Sequence, residues 1–402
     1  MSKTISRRRV FYIPGYDPIH PRRYRELYRK ESAAQAEVSG YDITLKPQDK
    51  SASSARYGWQ VDARIEGGET HADIAVLVWS DIVRGSMEQG ILATYGQLIR
   101  TTWTYIASGA LFRLMRLRKG PVIAALYPVG FLILQLLIAL GLAWGAGRLL
   151  SLIHPWAAWA GLALVPLVLG WFRRKDNRFF AYYLMHDYAY SARWRGANPP
   201  DLEARMAEFA DEIAQALQED SDEVLVVGHS SGAHLTVSIL ADLIRAGRVP
   251  EGGPELSFLS LGQVVPMVSF LPRAERLRAD LAYLSTRSEL AWVDVTAPGD
   301  GCAFALCDPV AVSGVAPASG KRWPLVLSAA FTQTLSPERW KELRWRFFRL
   351  HFQYLCAFDR PGDYDYFRIT AGPKTLAERF AGRQPSQSRI EKPVNRFTST
   401  AA

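Results

Sequence analysis

Residues 223–240 read EVLVVGHSSGAHLTVSIL, and their pattern indicates the class of the whole domain. Its first five residues, EVLVV, form an almost continuous apolar run that is typical of a buried strand. The next five, GHSSG, predict a tight turn, and the apolar-rich run from Ser231 to about Ala246 predicts a helix. A strand, a sharp turn and a helix in direct succession indicate a domain of the α/β class.

Segments on both sides of this stretch continue the alternation. Periodic helical patterns occupy residues 21–38 and 201–218. We predict further strands at residues 9–13, 57–66, 73–79, 256–261 and 290–295. Strands that alternate with helices predict a mostly parallel sheet.

Two uncharged runs interrupt this domain. Residues 120–147 and 149–172 carry no formal charge and are 28 and 24 residues long. A bilayer crossing needs about 20 apolar residues, so each run is long enough to span. Only a few residues around Arg148 separate them, which favours a transmembrane hairpin of two helices. The alternatives are a pair of buried core helices, a shallow hairpin in one leaflet, or a lid or substrate tunnel.

The net charge of +9 belongs to this insertion. Residues 89–175 contain nine Lys and Arg and no Asp or Glu; 48 basic residues less these nine leave 39, which balance the 39 acidic ones. That distribution is typical of a membrane segment, so no nucleic-acid partner is expected. Basic clusters at residues 113–119 and 173–178 flank the hairpin, which predicts that both of its ends face the cytoplasm.

The three cysteines indicate a reducing compartment. Cys302, Cys307 and Cys356 are too few for a disulfide scaffold, and they lack Cys/His partners at metal-binding spacing. The N-terminal residues, MSKTISRRRV, contain no apolar stretch of signal-peptide length, so no export is expected. We therefore expect an integral membrane protein whose α/β domain lies on the cytoplasmic side.

The turn after the central strand carries a chemical motif. Gly228, His229, Ser230, Ser231 and Gly232 fit Gly-x-Ser-x-Gly, and the strand before and helix after it are the setting of a nucleophile elbow. Here the sequence resembles the α/β-hydrolase family of serine lipases and esterases. The resemblance is strongest over residues 222–240, and it implies that Ser230 is the nucleophile. The alternative is a serine in a tight glycine turn without catalysis.

The resemblance also implies a catalytic triad in the chain order serine, acid, histidine. Only His234 and His351 follow Ser230, and no acid could precede His234 in that order. His351 is therefore expected to be the general base; the alternative is an ordinary histidine of its segment.

The acid is expected in the segment AWVDVTAPGDGCAFALCDPV, residues 291–310. Asp300 lies in a Pro-Gly-Asp-Gly loop after a late strand, which is where family members place the acid. Asp294, inside the predicted strand, is the second candidate, and Asp308 also lies in this segment. Capping of an exposed turn is the alternative role.

An oxyanion hole needs two main-chain N–H groups directed at the developing negative charge. The family implies one from Ser231 and another from the loop after an early strand, which matches VFYIPGYDP at residues 10–18. Many lipases have His-Gly at that point, whereas this chain has Pro14-Gly15, so Tyr16 is the expected donor. Tyr16 could instead form a wall of the acyl pocket.

These interpretations divide the chain into five segments. Residues 1–90 and 173–383 form the two parts of the α/β domain, residues 91–119 an amphipathic interfacial segment or a buried helix, residues 120–172 the hairpin, and residues 384–402 a disordered tail. The expected function is cleavage of esters of lipids or other amphipathic substrates through an acyl-enzyme, without metal or cofactor. The competing interpretation is a non-catalytic interaction module anchored in the membrane.

Overall fold

A mostly parallel sheet lies at the centre of the protein. The computed structural model describes residues 5–48 and 56–401. Within them the sheet has eight strands in the order β2-β3-β4-β1-β5-β6-β7-β8. The strands are β1 (Arg7–Ile13), β2 (Asp42–Pro47), β3 (Gly58–Ile65), β4 (Gly68–Val76), β5 (Glu223–His229), β6 (Glu255–Leu261), β7 (Leu290–Thr296) and β8 (Leu325–Ser328). Strand β3 pairs antiparallel with both β2 and β4, and every other pair is parallel. The predicted α/β class and mostly parallel sheet are confirmed.

Helices surround this sheet. Those before the second half of the sheet are α1 (Arg22–Ser39), α2 (Ser80–Met87), α3 (Ile91–Ala107), α4 (Ala110–Leu117), α5 (Lys119–Ser151), α6 (Leu164–Arg174), α7 (Asp176–Phe179), α8 (Ala181–Arg193) and α9 (Pro200–Ala216). Those after β5 are α10 (Ser231–Arg245), α11 (Val265–Ser269), α12 (Glu275–Leu284), α13 (Pro309–Val312), α14 (Phe331–Thr334), α15 (Pro337–Leu343), α16 (Phe347–His351), α17 (Tyr366–Ala371) and α18 (Leu376–Arg379). Two 3-10 helices span Pro155–Ala163 and Gln353–Leu355.

The core has two layers, one on each face of the sheet. Along β5, Val224 and Val226 pack with the apolar faces of α9, α10 and α12, while Leu225 and Val227 pack with α17 on the opposite face. All seven residues of β5 are buried. Because both faces of a parallel sheet are covered, its central strands are continuous apolar runs rather than alternating ones.

The two uncharged runs form an apolar hairpin. The segments Lys119–Ser151 and Pro155–Arg174 are each long and apolar enough to cross a membrane. The turn between them lies at residues 152–154, so Arg148 is inside α5 and not at the turn as predicted. The second segment begins as the 3-10 helix Pro155–Ala163, with Pro155 at its first position, where a missing N–H leaves no bond unmade.

Most large side chains of the hairpin face outward. Exposed apolar residues include Ile133, Leu137, Trp144, Trp156, Trp159 and Leu167. Core helices of a soluble domain bury such side chains, so this exposure disfavours the alternative of two buried core helices. The segments are held together by small residues: a Cβ added to Gly161 would lie 2.3 Å from the Ala143 carbonyl oxygen. Close approach at small residues is typical of helix pairs in membranes.

The C-terminal segment differs from the predicted disordered tail. Residues 384–401 form an irregular segment that lies against the domain, and the main chain of Ile390 pairs with that of Leu306 and Asp308. Ile390 and Val394 pack on an apolar cluster that includes Phe304. The composition of this segment, rich in Ser, Pro and Arg, is typical of a disordered tail, so the packing of Ile390 and Val394 was not predicted.

Candidate functional site

The turn between β5 and α10 holds Ser230 in a strained conformation. Its φ and ψ are +56° and −120°, a region that residues with a Cβ rarely adopt. The Ser230 amide donates to the Leu261 carbonyl oxygen at 2.9 Å, which ties the turn to the end of β6. Strain of this kind persists only where the surroundings enforce it, and it clusters at functional sites.

Three glycines allow the turn to close. A Cβ at Gly228 would lie 2.6 Å from Thr236 Oγ1, and one at Gly232 would lie 2.1 Å from the Ile13 carbonyl oxygen at the end of β1. A Cβ at Gly15, in the loop after β1, would lie 2.9 Å from Ser230 Cβ. A larger residue at Gly228 would therefore push α10 away from the turn, and one at Gly232 or Gly15 would push β1 or its loop away.

We expect Gly232→Ala to destabilise the fold by about 3 kcal/mol, because the added methyl overlaps main-chain atoms that cannot move aside. Gly85→Ala is the control: Gly85 is an exposed position in α2 with no atom near its Cβ, and alanine there should stabilise by about 0.5–1 kcal/mol. Thermal unfolding of the purified variants measures both. Equal stability of the two variants would contradict the close packing at the turn.

His351 and Asp300 form a buried pair near this turn. His351 ends α16, and Asp300 lies in the loop after β7. Their Nδ1 and Oδ2 atoms are 2.7 Å apart, and both side chains are almost fully buried. Within the part of the chain that the structure describes, His351 Nε2 is buried without a hydrogen-bond partner. Ser230 and His351 line the same cleft.

The Asp300 carboxylate is held ionised by its neighbours. It accepts hydrogen bonds from the Cys302 amide at 2.9 Å and from the Tyr354 hydroxyl at 3.0 Å. Burial favours the neutral acid, but the nearby His351 and these donors hold the pKa of Asp300 below its usual value. A charged carboxylate on Nδ1 fixes the imidazole in the tautomer that leaves Nε2 free to accept a proton.

The other two acids of the segment lie elsewhere. Asp294 points from β7 to the Ser260 hydroxyl, which donates to it at 2.5 Å, and burial raises the pKa of Asp294 to about 8. Asp308 accepts from the first amides of α13 and pairs with Lys321. Neither acid contacts His351, so Asp300 is the acid that the structure brings to the histidine.

Two residues whose main-chain amides have no described acceptor line the cleft beside Ser230. Tyr16 follows the Pro14-Gly15 turn, and Ser231 is the first residue of the 15-residue helix α10. Both residues line the cleft, and among residues 5–48 and 56–401 neither amide donates to a protein acceptor. Free amides at a helix N-terminus favour negative charge. The predicted oxyanion residues are thus placed where they could bind one.

His229 supports the main chain of His351. Its Nε2 lies 3.0 Å from the His351 carbonyl oxygen, and its Nδ1 lies 3.3 Å from the Tyr12 hydroxyl. Burial lowers the pKa of His229 to about 3, so its ring is neutral near pH 7. Because a carbonyl only accepts, Nε2 carries the proton. His229, which also lines the cleft, therefore holds the C-terminal end of α16 in position.

Helix α8 lines the cleft, which sequence reasoning did not predict. The cleft is partly open to solvent, and α8 contributes Tyr183, Leu184, Asp187, Tyr188 and Ser191 to its wall. Burial raises the pKa of Asp187 to about 7, although the nearby His351 opposes this. The spacing of Tyr183, Asp187 and Ser191 at every fourth residue was a usable signal for one helix face, but nothing in the sequence tied that face to Ser230.

The Asp300–His351 pair and the neighbouring Cys302 make a poor metal site. Ligand atoms of Asp300, Cys302 and His351 lie within 4.8 Å of one another. However, the His351 nitrogen nearest the acid is already hydrogen-bonded to it, and burial raises the pKa of the Cys302 thiol, which keeps it protonated. A metal would need a deprotonated sulfur and would compete with the Asp300–His351 hydrogen bond, so the arrangement favours acid–base chemistry.

The comparisons with known proteins contribute no assignment. The chain matches no family model, no curated protein and no solved structure. A strained serine, a histidine with a free Nε2 and two free amides at one cleft, together with a buried carboxylate hydrogen-bonded to the histidine, are the parts needed for acyl transfer.

Proposed function

We propose that this protein is a membrane-anchored serine hydrolase that cleaves carboxylic esters of lipids or other amphipathic substrates. One observation carries the proposal: the strained Ser230 and the imidazole of His351 line a single cleft, and the buried Asp300 is hydrogen-bonded to that imidazole. The sequence resemblance to α/β-hydrolase lipases and esterases supports it.

In the first half of the reaction, Ser230 Oγ attacks the ester carbonyl carbon while His351 Nε2 takes the hydroxyl proton. The C–O double bond opens, and its electron pair becomes an oxyanion that the Ser231 and Tyr16 amides bind. Collapse of this intermediate breaks the bond to the alcohol, which leaves with the proton from His351. The acyl group remains as an ester on Ser230.

In the second half, a water molecule takes the place of the alcohol. His351 removes one of its protons as the water oxygen attacks the acyl carbonyl, and the same amides bind the new oxyanion. The Ser230 oxygen leaves and recovers the proton from His351, which frees the carboxylic acid. Asp300 stays ionised throughout and stabilises the transient imidazolium.

We propose that the apolar hairpin anchors this hydrolase with its α/β domain on the cytoplasmic side. Basic clusters on both outer flanks favour cytoplasmic ends, and Trp144, Trp156 and Trp159 near the turn fit the opposite interface. The anchor begins beside the cleft, because a Cβ at Gly120 would lie 3.2 Å from the carbonyl oxygen of Gly301, the residue after Asp300. A cleft at the base of the anchor favours substrates that reside in the bilayer.

The direct test is hydrolysis of short p-nitrophenyl esters by the full-length protein in detergent. We expect steady release of p-nitrophenol that proceeds without added cofactor and stops after treatment with a serine-directed inhibitor. Folded protein that turns over no ester, thioester or amide would contradict the proposal and favour the non-catalytic interaction module.

The choice of acid gives a second prediction. Asp300→Asn should lower ester turnover by about 10³- to 10⁴-fold, because the amide no longer holds His351 in its reactive tautomer. Asp294→Asn, the matched control on β7, should change turnover by less than about tenfold, since that acid bonds only Ser260 among the residues described. Steady-state kinetics on both variants decides the question. A severe loss of turnover in Asp294→Asn alone would show that Asp294, on β7, is the acid of the triad.

The topology gives a third prediction. A cysteine introduced at Ser151, at the end of α5, should react with a membrane-impermeant maleimide from the side opposite to a cysteine at exposed Ser288 in the α/β domain. The parent protein, with its own three cysteines, measures the background. Reaction of both positions from the same side would show a shallow or re-entrant hairpin instead of a full crossing.

A further inference from the structure

A second, apolar cavity adjoins the cleft. We call it the side chamber; it lies between helices α3, α4, α5, α8 and α11 and is partly open to solvent. None of its lining residues among those described carries a charge: Thr101, Thr102, Tyr105, Leu111, Leu114, Val122, Ala125, Leu126, Val129, Met185, Tyr188 and Met267. Such a lining suits an apolar ligand without a charged group.

The side chamber and the cleft share a wall. Tyr105, Tyr188 and Met267 line both cavities. The Tyr105 hydroxyl donates to the Met267 carbonyl oxygen at 2.9 Å, so its polar end is satisfied and its ring is left as an apolar surface. The Met267 side chain, flexible and unbranched, is the part of this wall that can adapt most easily to a chain passing through.

One face of α5 continues from the cleft along the side chamber. Pro121 lines the cleft, and Val122, Ala125, Leu126 and Val129 line the chamber. At 1.5 Å per residue, Pro121 to Val129 covers about 12 Å along the helix axis. Leu126 is 42% exposed, so the chamber borders the outer surface of the first candidate membrane segment.

We propose that the side chamber holds the acyl chain of a long-chain ester drawn from the bilayer. With the ester carbonyl at Ser230, the chain would pass between Tyr105, Tyr188 and Met267 and lie along α5, while the alcohol part occupies the mouth of the cleft. This proposal rests on the proposed function, and it narrows the substrate class to esters of long-chain fatty acids. The hairpin then serves as an anchor and as one wall of the substrate site.

The test compares two fluorophosphonates that differ only in alkyl length, one ethyl and one dodecyl, on full-length protein in detergent. Ala125→Phe fills the chamber from α5, and loss of as few as two buried methylenes lowers the long-chain rate about tenfold. We therefore expect the ratio of long-chain to short-chain labelling rates to fall about tenfold or more. In the control Ala163→Phe, the same exchange at an exposed hairpin alanine, the ratio should stay within about twofold of the parent.

An unchanged ratio in Ala125→Phe, or an equal fall in both variants, would overturn the acyl-chain assignment. Labelling of the parent by the ethyl probe reports the proposed chemistry separately, so its absence would count against the hydrolase itself. If Ala125→Phe fails to fold, Ala125→Leu provides the decision, since a smaller addition at the same position should give a smaller fall of the same sign. A parent protein that reacts equally fast with both probes would also contradict the proposal.

Discussion

Ser230→Ala is expected to lower ester turnover by about 10⁴- to 10⁶-fold while leaving the protein folded. The Ser230 hydroxyl supplies the electron pair that forms the acyl-enzyme. Among the described residues that line the cleft, no other lies on such a strained turn. The substitution should leave the packing of the turn unchanged, because Gly15 lies next to Ser230 Cβ, and alanine keeps that atom. Steady-state hydrolysis of p-nitrophenyl butyrate measures the loss.

Ser231→Ala is the control for this prediction. It removes the neighbouring hydroxyl but keeps the main-chain amide that would bind the oxyanion, so turnover should survive. If Ser230→Ala keeps more than about a tenth of the parent activity while Ser231→Ala loses it, the nucleophile is misassigned. Loss in both variants together with lower thermal stability would indicate damage to the turn and call for Ser230→Cys, which keeps a nucleophile.

His351→Ala should cost about as much as loss of the serine, because nucleophile and base act as one unit. Its imidazole is the only group of the described cleft with a carboxylate on one nitrogen and a free second nitrogen. The His229 contact is to the His351 main chain, so it should persist in the variant and limit structural change. Turnover and thermal stability measured together separate loss of the base from unfolding.

His234→Gln is the matched control for the base. His234 also follows Ser230 in the chain, but it lies buried in α10 and does not line the cleft. Its substitution should leave turnover within about tenfold of the parent. A severe loss in His234→Gln with an active His351→Ala would contradict the assignment of the base.

The sequence predicted the sheet wherever strands are covered on both faces. The run EVLVV becomes β5, which is fully buried, so its apolar continuity was a reliable signal. Strands β2 and β8 were not predicted. The β2 residues are half-buried or exposed at the sheet edge, and β8 has only four residues, so neither leaves a clear pattern.

The site was predictable in its chain order and not in its contacts. Ser230 and His351 are separated by 121 positions, and only the fold places them on one cleft. Asp294 and Asp300 were both reasonable acids until the register of β7 directed Asp294 to Ser260. The hydroxyl of Tyr354 on Asp300 has no sequence signal beyond its position three residues after His351.

For the hairpin, the two segments were predictable from the sequence, whereas their turn and their packing were not. Absence of charge and the basic flanks identified both apolar segments, since length and composition determine that property directly. The predicted position of the hairpin turn was wrong because Arg148 lies on an exposed face of α5, where a charged side chain does not interrupt the helix. The side chamber could not be predicted, because it depends on how α3, α4, α5 and α8 pack together.

The site of covalent labelling by a fluorophosphonate tests directly whether Ser230 is the nucleophile of a serine hydrolase. Full-length protein in detergent is treated with the ethyl probe, digested and sequenced by mass spectrometry, with His351→Ala treated in parallel. We expect one adduct, on Ser230, that forms far more slowly in His351→Ala because the hydroxyl has lost its base. Folded protein that takes up no probe, or that carries the adduct on another residue, would contradict it.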